Sequence, residues 1–271
     1  MTKVVLITGA SSGMGKITAR YLYENGYTVY AGTRDKNLKV PEIAGVNNIY
    51  LDVSSTSSIE SAVKSIIAKE KKIDVLVNNA GFGLVSTAEE VTDEEIFKQF
   101  DVNVFGLMKM TRAVLPYLRE AKSGVIINIS SFLGKMGLPL LSHYNASKYA
   151  VEGFVDSIRF EMAPYNVRVH AIQSGLFGTN FVKKGLVANE ATTSENSPYK
   201  SLVAHFVPIV AKAINEGPNP QPIADAVKDI IEDENSPIAT PVGGEATTFI
   251  PLRKELSDES FETKVKEVFG L

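Results

Sequence analysis

Short apolar runs rich in β-branched residues alternate with stretches of helical spacing along most of the chain. The runs Lys3–Thr8, Thr28–Thr33, Asn48–Asp52, Val75–Asn78, Gly124–Ser130 and Arg168–Gln173 predict strands. The stretches Gly15–Asn25, Ser57–Glu70, Asp93–Ala121 and Ser142–Ala163 predict helices. The strand runs are nearly continuous in apolar character, the pattern of strands covered on both faces. Such strand–helix alternation predicts an α/β fold, with a doubly wound parallel sheet and helices on both sides. Thr92 before Asp93, Glu94 and Glu95 predicts a capped helix start with acids in its first turn. Pro116, inside the same long stretch, predicts a kink.

The pattern changes once, over about residues 176–222. Asn189, Thr192, Thr193, Ser194, Glu195, Asn196 and Ser197 form a polar stretch, and Gly217-Pro218-Asn219-Pro220 marks a turn. Between them Tyr199, Leu202, Val203, Phe206, Val207 and Val210 fall at helical spacing. This segment is too small for a second domain. It is expected to be an excursion from the sheet, either a substrate lid or a surface loop with one packed helix. The remainder reads as one domain over residues 1–271.

Composition narrows the function classes. At 44% hydrophobic residues the chain can bury a full core. Its net charge of −3, with both signs dispersed and no basic stripe, argues against nucleic acid as a partner. The absence of cysteine excludes disulfides, thiol nucleophiles and cysteine–zinc sites, and fits a reducing compartment. The apolar run after Met1-Thr2-Lys3 is too short for a signal peptide, and no run approaches the roughly 18 residues of a membrane span. A soluble, cytoplasmic protein is expected.

The candidate chemistry sits at predicted strand ends. The first strand enters Thr8-Gly9-Ala10-Ser11-Ser12-Gly13-Met14-Gly15, and a helix follows. A glycine-rich turn at a helix N-terminus can cradle phosphate, although a structural turn has the same appearance. At the end of the second strand, Thr33 stands where a carboxylate would bind the ribose of NAD, and Arg34 follows. A guanidinium there can pair with a 2′-phosphate, which favours NADP(H) and leaves NAD(H) possible. Arg34 could equally be a solvated arginine, and Asp35 complicates the reading. Asp52, before Val53, could accept from an adenine amino group or cap the next helix. Asn79, Ala80 and Gly81 are small or amide groups suited to lying against a ligand. Tyr144 and Lys148 stand at i and i+4, on one helix face. A cation beside a phenol favours the phenolate, so Lys148 is expected to lower the Tyr144 pKa from about 10. Ser131 precedes them at a strand end. No His/Asp/Glu cluster at metal spacing is seen. His143, His170 and His205 read as packing or surface residues.

In this order these motifs resemble the short-chain dehydrogenase/reductase family over essentially the whole chain. Thr8-Gly9-x-x-x-Gly13-x-Gly15 is similar to its cofactor loop, Asn78-Asn79-Ala80-Gly81 to its sheet-stabilising motif, and Asn103, Ser131, Tyr144 and Lys148 to its catalytic tetrad. The resemblance implies a Rossmann-like sheet of seven strands in the order 3-2-1-4-5-6-7, with Val242-Gly243 near the last strand. It further implies transfer of the cofactor's pro-S hydride to a carbonyl carbon. Tyr144 would be the acid/base and Ser131 would orient the substrate oxygen. Lys148 would bind the nicotinamide ribose, and Asn103 would hold a water that links Lys148 to solvent. The family's Pro-Gly after the sixth strand is replaced by Ser174-Gly175, with Thr179 at the expected carboxamide contact. A homodimer or homotetramer through the Asp93–Ala121 and Ser142–Ala163 helices is implied as well.

Phe82, Leu84, Phe132, Leu133, Leu140, Leu141, Phe177 and Phe181 are expected on the substrate side. Such walls suit a small hydrophobic carbonyl or alcohol substrate rather than a sugar or phosphate ester, and the chain resembles the steroid and retinol dehydrogenase branch. Two rival classes are an epimerase or isomerase using the same Tyr–Lys pair, and a non-catalytic NADP-binding sensor.

Overall fold

The computed structural model describes residues 2–35, 45–179 and 185–271. Seven parallel strands form the main sheet: β1 (Val4–Ile7), β2 (Thr28–Thr33), β3 (Asn47–Tyr50), β4 (Val75–Asn78), β6 (Gly124–Ser131), β7 (Val167–Ser174) and β9 (Ala239–Val242). Their order is β3-β2-β1-β4-β6-β7-β9. This is the expected 3-2-1-4-5-6-7 arrangement, relabelled because two short strands, β5 (Gly83–Val85) and β8 (Leu186–Ala188), pair in a second sheet. That small sheet is absent from the sequence expectation.

The continuous apolar strands divide their side chains between two layers. Val4, Leu6, Leu76 and Ile126 join a core with α2 (Thr56–Glu70), α4 (Leu107–Ala121) and α5 (Ser142–Met162). Val5, Ile7, Val75, Val77 and Ile127 join the opposite core with α1 (Gly13–Glu24) and α7 (Gln221–Glu232). Period-two alternation is therefore present, but apolar partners on both faces hide it in the sequence. A third core lies beyond the strand ends. There α6 (Lys200–Asn215), α8 (Gly244–Glu255) and α9 (Asp258–Phe269) gather Phe206, Phe249, Phe261 and Phe269 around Phe132. No helix among the described residues is long and apolar enough to cross a membrane.

The Asp93–Ala121 stretch differs from its expectation. α3 (Asp93–Phe100) begins with the capping box, in which Thr92 Oγ1 accepts from Glu95 N and Glu95 accepts from Thr92 N. A wider π turn then spans Asp101–Gly106 before α4, and α4 continues through Pro116 to Ala121. The break in α geometry therefore falls at Asn103 rather than at the proline. Gln99 fixes the register ahead of it, accepting from Leu84 N at 2.8 Å and donating to Phe82 O at 2.8 Å.

The 176–222 excursion is anchored at its stem. Gly83 N donates to Gly185 O and Asn189 N to Val85 O across the β5–β8 pair. Buried Asn189 donates to Glu95, and Ser197 donates to Glu90.

Candidate active site

Six strand exits converge on one cleft of about 660 Å³ across the carboxyl ends of the sheet, the place where open α/β sheets bind ligands. Its first wall is the β1–α1 turn, with Gly9, Ser11, Ser12, Gly13 and Met14. Gly9 (φ +66°) and Gly13 (φ +54°) occupy the left-handed region that favours glycine. A methyl on Gly9 would lie 2.8 Å from Ala80 Cα, so this glycine also lets the turn seat on the β4 exit. The seat is hydrogen-bonded: Thr8 Oγ1 accepts from Asn79 N and Ala80 N, each at 3.0 Å, and Asn79 Nδ2 donates to Thr8 O and Gly9 O. Gly15 stands behind the turn, where a side chain would strike Asn79 Nδ2, and does not line the cleft. The first turn of α1 carries no acid, and the Ser12 side chain makes no capping bond. Donors and dipole at this end suit an anion.

The second wall carries Thr33 and Arg34 at the end of β2, then Val53, then Asn79, Ala80 and Gly81. Asp52 is absent from the cleft lining. Its carboxylate accepts from Ser54 N at 3.0 Å, which makes it the cap of a turn. The far wall carries Ser174, Gly175 and Thr179. Where a proline was expected, Ser174 Oγ donates to Gly175 O at 2.8 Å and Gly175 N donates to Val242 O, so hydrogen bonds tie this exit loop. Thr179 approaches Gly13 across the cleft.

Ser131, Tyr144 and Lys148 meet at the base of the cleft. Ser131 ends β6, and its Oγ accepts from Leu133 N at 3.1 Å. Tyr144 and Lys148 occupy the first two turns of α5, with the ammonium 5.8 Å from the ring centroid. Lys148 Nζ donates to Ile129 O at 2.8 Å. Burial raises the Tyr144 phenol to about 12, while the Ser131 hydroxyl acts the other way. The direction is opposite to the expected lowering because burial dominates, and the Lys148 ammonium is engaged by a backbone carbonyl. Burial pushes Lys148 down to about 8, with Glu152 opposing that shift.

Asn103 lies behind the site and outside the cleft lining. Its Oδ1 accepts from Phe82 N at 3.0 Å, and its Nδ2 donates to Phe82 O and to Ser147 Oγ. Its amide thus joins the π turn to the β4 exit and to α5.

The apolar residues sort differently from expectation. Phe82, Leu133, Leu141 and Phe177 line the cleft. Phe132 turns into the third core and stacks on Phe249 at 6.4 Å, and Leu140 packs in the same core. Leu84 is the buried middle residue of β5. Phe181 lies outside the described residues. Leu176, Leu186, Val187, Val210 and Ile214 complete the apolar side. His143 is bonded through Nδ1 to Ser86 and Ser142, and buried His170 is bonded to Pro237 O and Arg168. No metal-binding cluster occurs among the described residues.

Sequence reading named Thr8 only as the start of the glycine-rich motif, without its role, and missed Gln99 and Glu152. For Glu152 the available signal was its i+4 spacing from Lys148. For Thr8 it was the position of a hydroxyl at the mouth of a glycine turn.

The family profile described as short chain dehydrogenase matches residues 3–189. A 3-ketodihydrosphingosine reductase of Bacteroides thetaiotaomicron is 39% identical over 241 residues, covering 89% of this chain and 88% of that protein. A short-chain dehydrogenase structure from Streptomyces avermitilis superposes with a TM-score of 0.82 at 32% identity, covering 98% of this chain and 96% of that one. A 3-ketoacyl-(acyl-carrier-protein) reductase structure from Brucella melitensis, complexed with NADH, gives 0.74 at 28% identity over 90% of this chain and 98% of that one.

Proposed function

Because this chain belongs to the short chain dehydrogenase family of oxidoreductases, we propose that it interconverts a hydrophobic ketone or aldehyde and its alcohol, with NADP(H) and with Tyr144 as acid/base. The observation that carries the reading is the meeting of Ser131, Tyr144 and Lys148 in one cleft with the glycine turn of α1. A bound nicotinamide cofactor supplies the hydride. Tyr144 gives its phenolic proton to the carbonyl oxygen in reduction and takes it back in oxidation. Ser131 directs that oxygen toward the phenol. Lys148 places a positive charge beside the tyrosine ring and would hold the ribose hydroxyls of the bound cofactor. Asn103 acts by holding the π turn against α5 rather than by direct contact.

The residues fit a phosphate-bearing cofactor. Backbone donors of residues 11–14, the glycine geometry and the acid-free first turn would hold a pyrophosphate. Thr33 and Arg34 favour a 2′-phosphate over a free ribose hydroxyl at the β2 exit. Arg34→Ala is expected to reduce the NADPH:NADH ratio of kcat/KM by about ten- to a hundredfold, the range for a charge-assisted hydrogen bond. An unchanged ratio would sink the assignment.

Leu141, Leu176, Phe177, Leu186, Val187 and Val210 support an apolar substrate. The Bacteroides relative, a 3-ketodihydrosphingosine reductase, points the same way. Residues from the 176–222 excursion supply much of this wall, so we read it as the substrate lid. A panel of long-chain and cyclic ketones against sugar ketones, followed by NADPH oxidation, tests the substrate class. Turnover confined to the sugars would refute it. The helix faces around Phe105, Met108, Leu115, Phe154 and Phe160 are the proposed contact between copies, which sedimentation of the purified protein would report.

A further inference from the structure

The proposed role of Lys148 depends on its charge, yet the residue is 7% exposed. Burial pushes its pKa down to about 8, toward the working pH range. One turn further along α5 lies Glu152, 5% exposed, a carboxylate outside the cleft and without a place in the mechanism above. Its Oε2 accepts from Gln173 Nε2 on β7 at 2.9 Å and pairs with Lys135 Nζ at 3.1 Å. Its Oε1 has no partner among the described residues, and neither has the buried hydroxyl of Ser130. A methyl built on Gly134 would lie 3.0 Å from Glu152 Cγ, 3.1 Å from Lys148 O and 3.1 Å from Ser130 Oγ. The carboxylate stem, the lysine backbone and the serine hydroxyl therefore pack around Gly134, which leaves no room for a side chain behind the active-site lysine.

Among the described residues, the titratable or charged groups around Lys148 come from two directions. Tyr144 and Glu152 share its helix, and Lys135 reaches Glu152 from the segment after β6. β6 offers Ile129 O and Ser130, β7 offers Gln173, and the Gly81–Asn103 side is uncharged. Building on the acid/base reading above, we propose that Glu152 is a positioning residue that keeps Lys148 protonated, and that Lys135 is the counter-charge that limits this effect. An opposite charge one helical turn away favours the ammonium. A second cation on the same carboxylate weakens that field.

The two partners of the Glu152–Lys135 pair must therefore move Lys148 in opposite directions. Glu152→Gln removes the supporting charge, and Lys135→Gln removes the opposing one. A pair that served to clasp the segment after β6 onto α5 would break in both variants and give shifts of one sign. Competitive acylation of the purified protein between pH 6 and 10, read at Lys148 by peptide mass spectrometry, measures its ionisation without turnover. The wild-type midpoint is expected near 8. Glu152→Gln should lower it by about one pH unit, Lys135→Gln should raise it, and Glu152→Asp should restore it toward wild type. The alkaline fall of kcat should track these midpoints.

An unchanged midpoint in a folded Glu152→Gln variant, or shifts of the same sign in both variants, overturns the proposal. If Glu152→Gln does not fold, Lys135→Gln decides alone, and a downward or absent shift overturns it. Retained turnover in Tyr144→Phe would refute the acid/base reading separately, because the labelling midpoints do not depend on it.

Discussion

Tyr144→Phe is expected to lower kcat by about 10²–10⁴-fold, the range for loss of a general acid, while cofactor binding survives. The substitution removes one oxygen and leaves the ring in place against the third core. It leaves the glycine turn, Arg34 and Lys148 untouched. With its phenol near 12, wild-type Tyr144 holds its proton throughout the neutral range and is ready to donate in the reductive direction. Steady-state reduction of a hydrophobic ketone, with fluorescence titration of NADPH, separates the two quantities. Turnover within tenfold of wild type, with cofactor bound, would remove Tyr144 from the chemistry. A parallel loss of cofactor binding would instead point to a structural role for the hydroxyl.

Lys148→Met should produce the second large effect, with activity and stability moving in opposite directions. Loss of the ammonium removes the charge beside the tyrosine, and kcat should collapse. Stability at pH 7 should rise. The folded-state pKa, about 8, lies below the ordinary lysine value of 10.5. The unfolded chain therefore binds more protons between those two values, and wild-type stability increases with pH across that window. Below about pH 8 both states are protonated, and the buried charge carries its full cost of about 3 kcal/mol at 1.4 kcal/mol per pKa unit. Methionine removes that cost but also removes the bond to Ile129 O, so a net gain of about 1–2 kcal/mol is expected. Thermal melts should show the variant above wild type at pH 7, with the gap closing between about pH 8 and 10.5. A variant that melts below wild type at pH 7, or a gap independent of pH, would contradict this account.

The parts of the molecule legible in its sequence are those governed by repeated local chemistry. Val4–Ile7, Val75–Asn78 and Gly124–Ser131 read as strands because two helical layers demand apolar residues on both faces. The glycine turn, Arg34, Ser131 and the Tyr144–Lys148 pair were legible because a parallel sheet delivers every strand end to one edge, so motifs distant in sequence converge in a known place. Other features depended on tertiary geometry. β5 and β8 are three residues each, too short for periodicity, and they pair across a wide separation in the chain. Phe132 and Leu140 follow or precede reactive residues, but the turn after β6 and the left-handed backbone at Leu140 send them to the third core. The direction of the Tyr144 shift turned on burial, which no spacing rule supplies. Asp52 was ambiguous between an adenine contact and a cap of the next helix; its carboxylate instead closes the turn at Ser54, and Ser55 caps that helix.

The π turn at Asp101–Gly106 bears on how this chain can vary in length. α3 is locked by Gln99 to the β4 exit, whereas α4 must present Leu107, Met110, Val114 and Leu118 to the sheet. Consecutive residues of an α-helix differ by about 100° in azimuth. The wider turn acts as a phase shifter between two faces whose partners are independently fixed. The wider turn absorbs one extra residue, so deleting one there would restore ordinary winding with the apolar stripe of α4 still on the sheet, but it would remove the register that sets Asn103 opposite Phe82. A single-residue insertion or deletion in this helix, harmless in a surface loop, would pull Asn103 away from Phe82 and uncouple the cleft floor from its core.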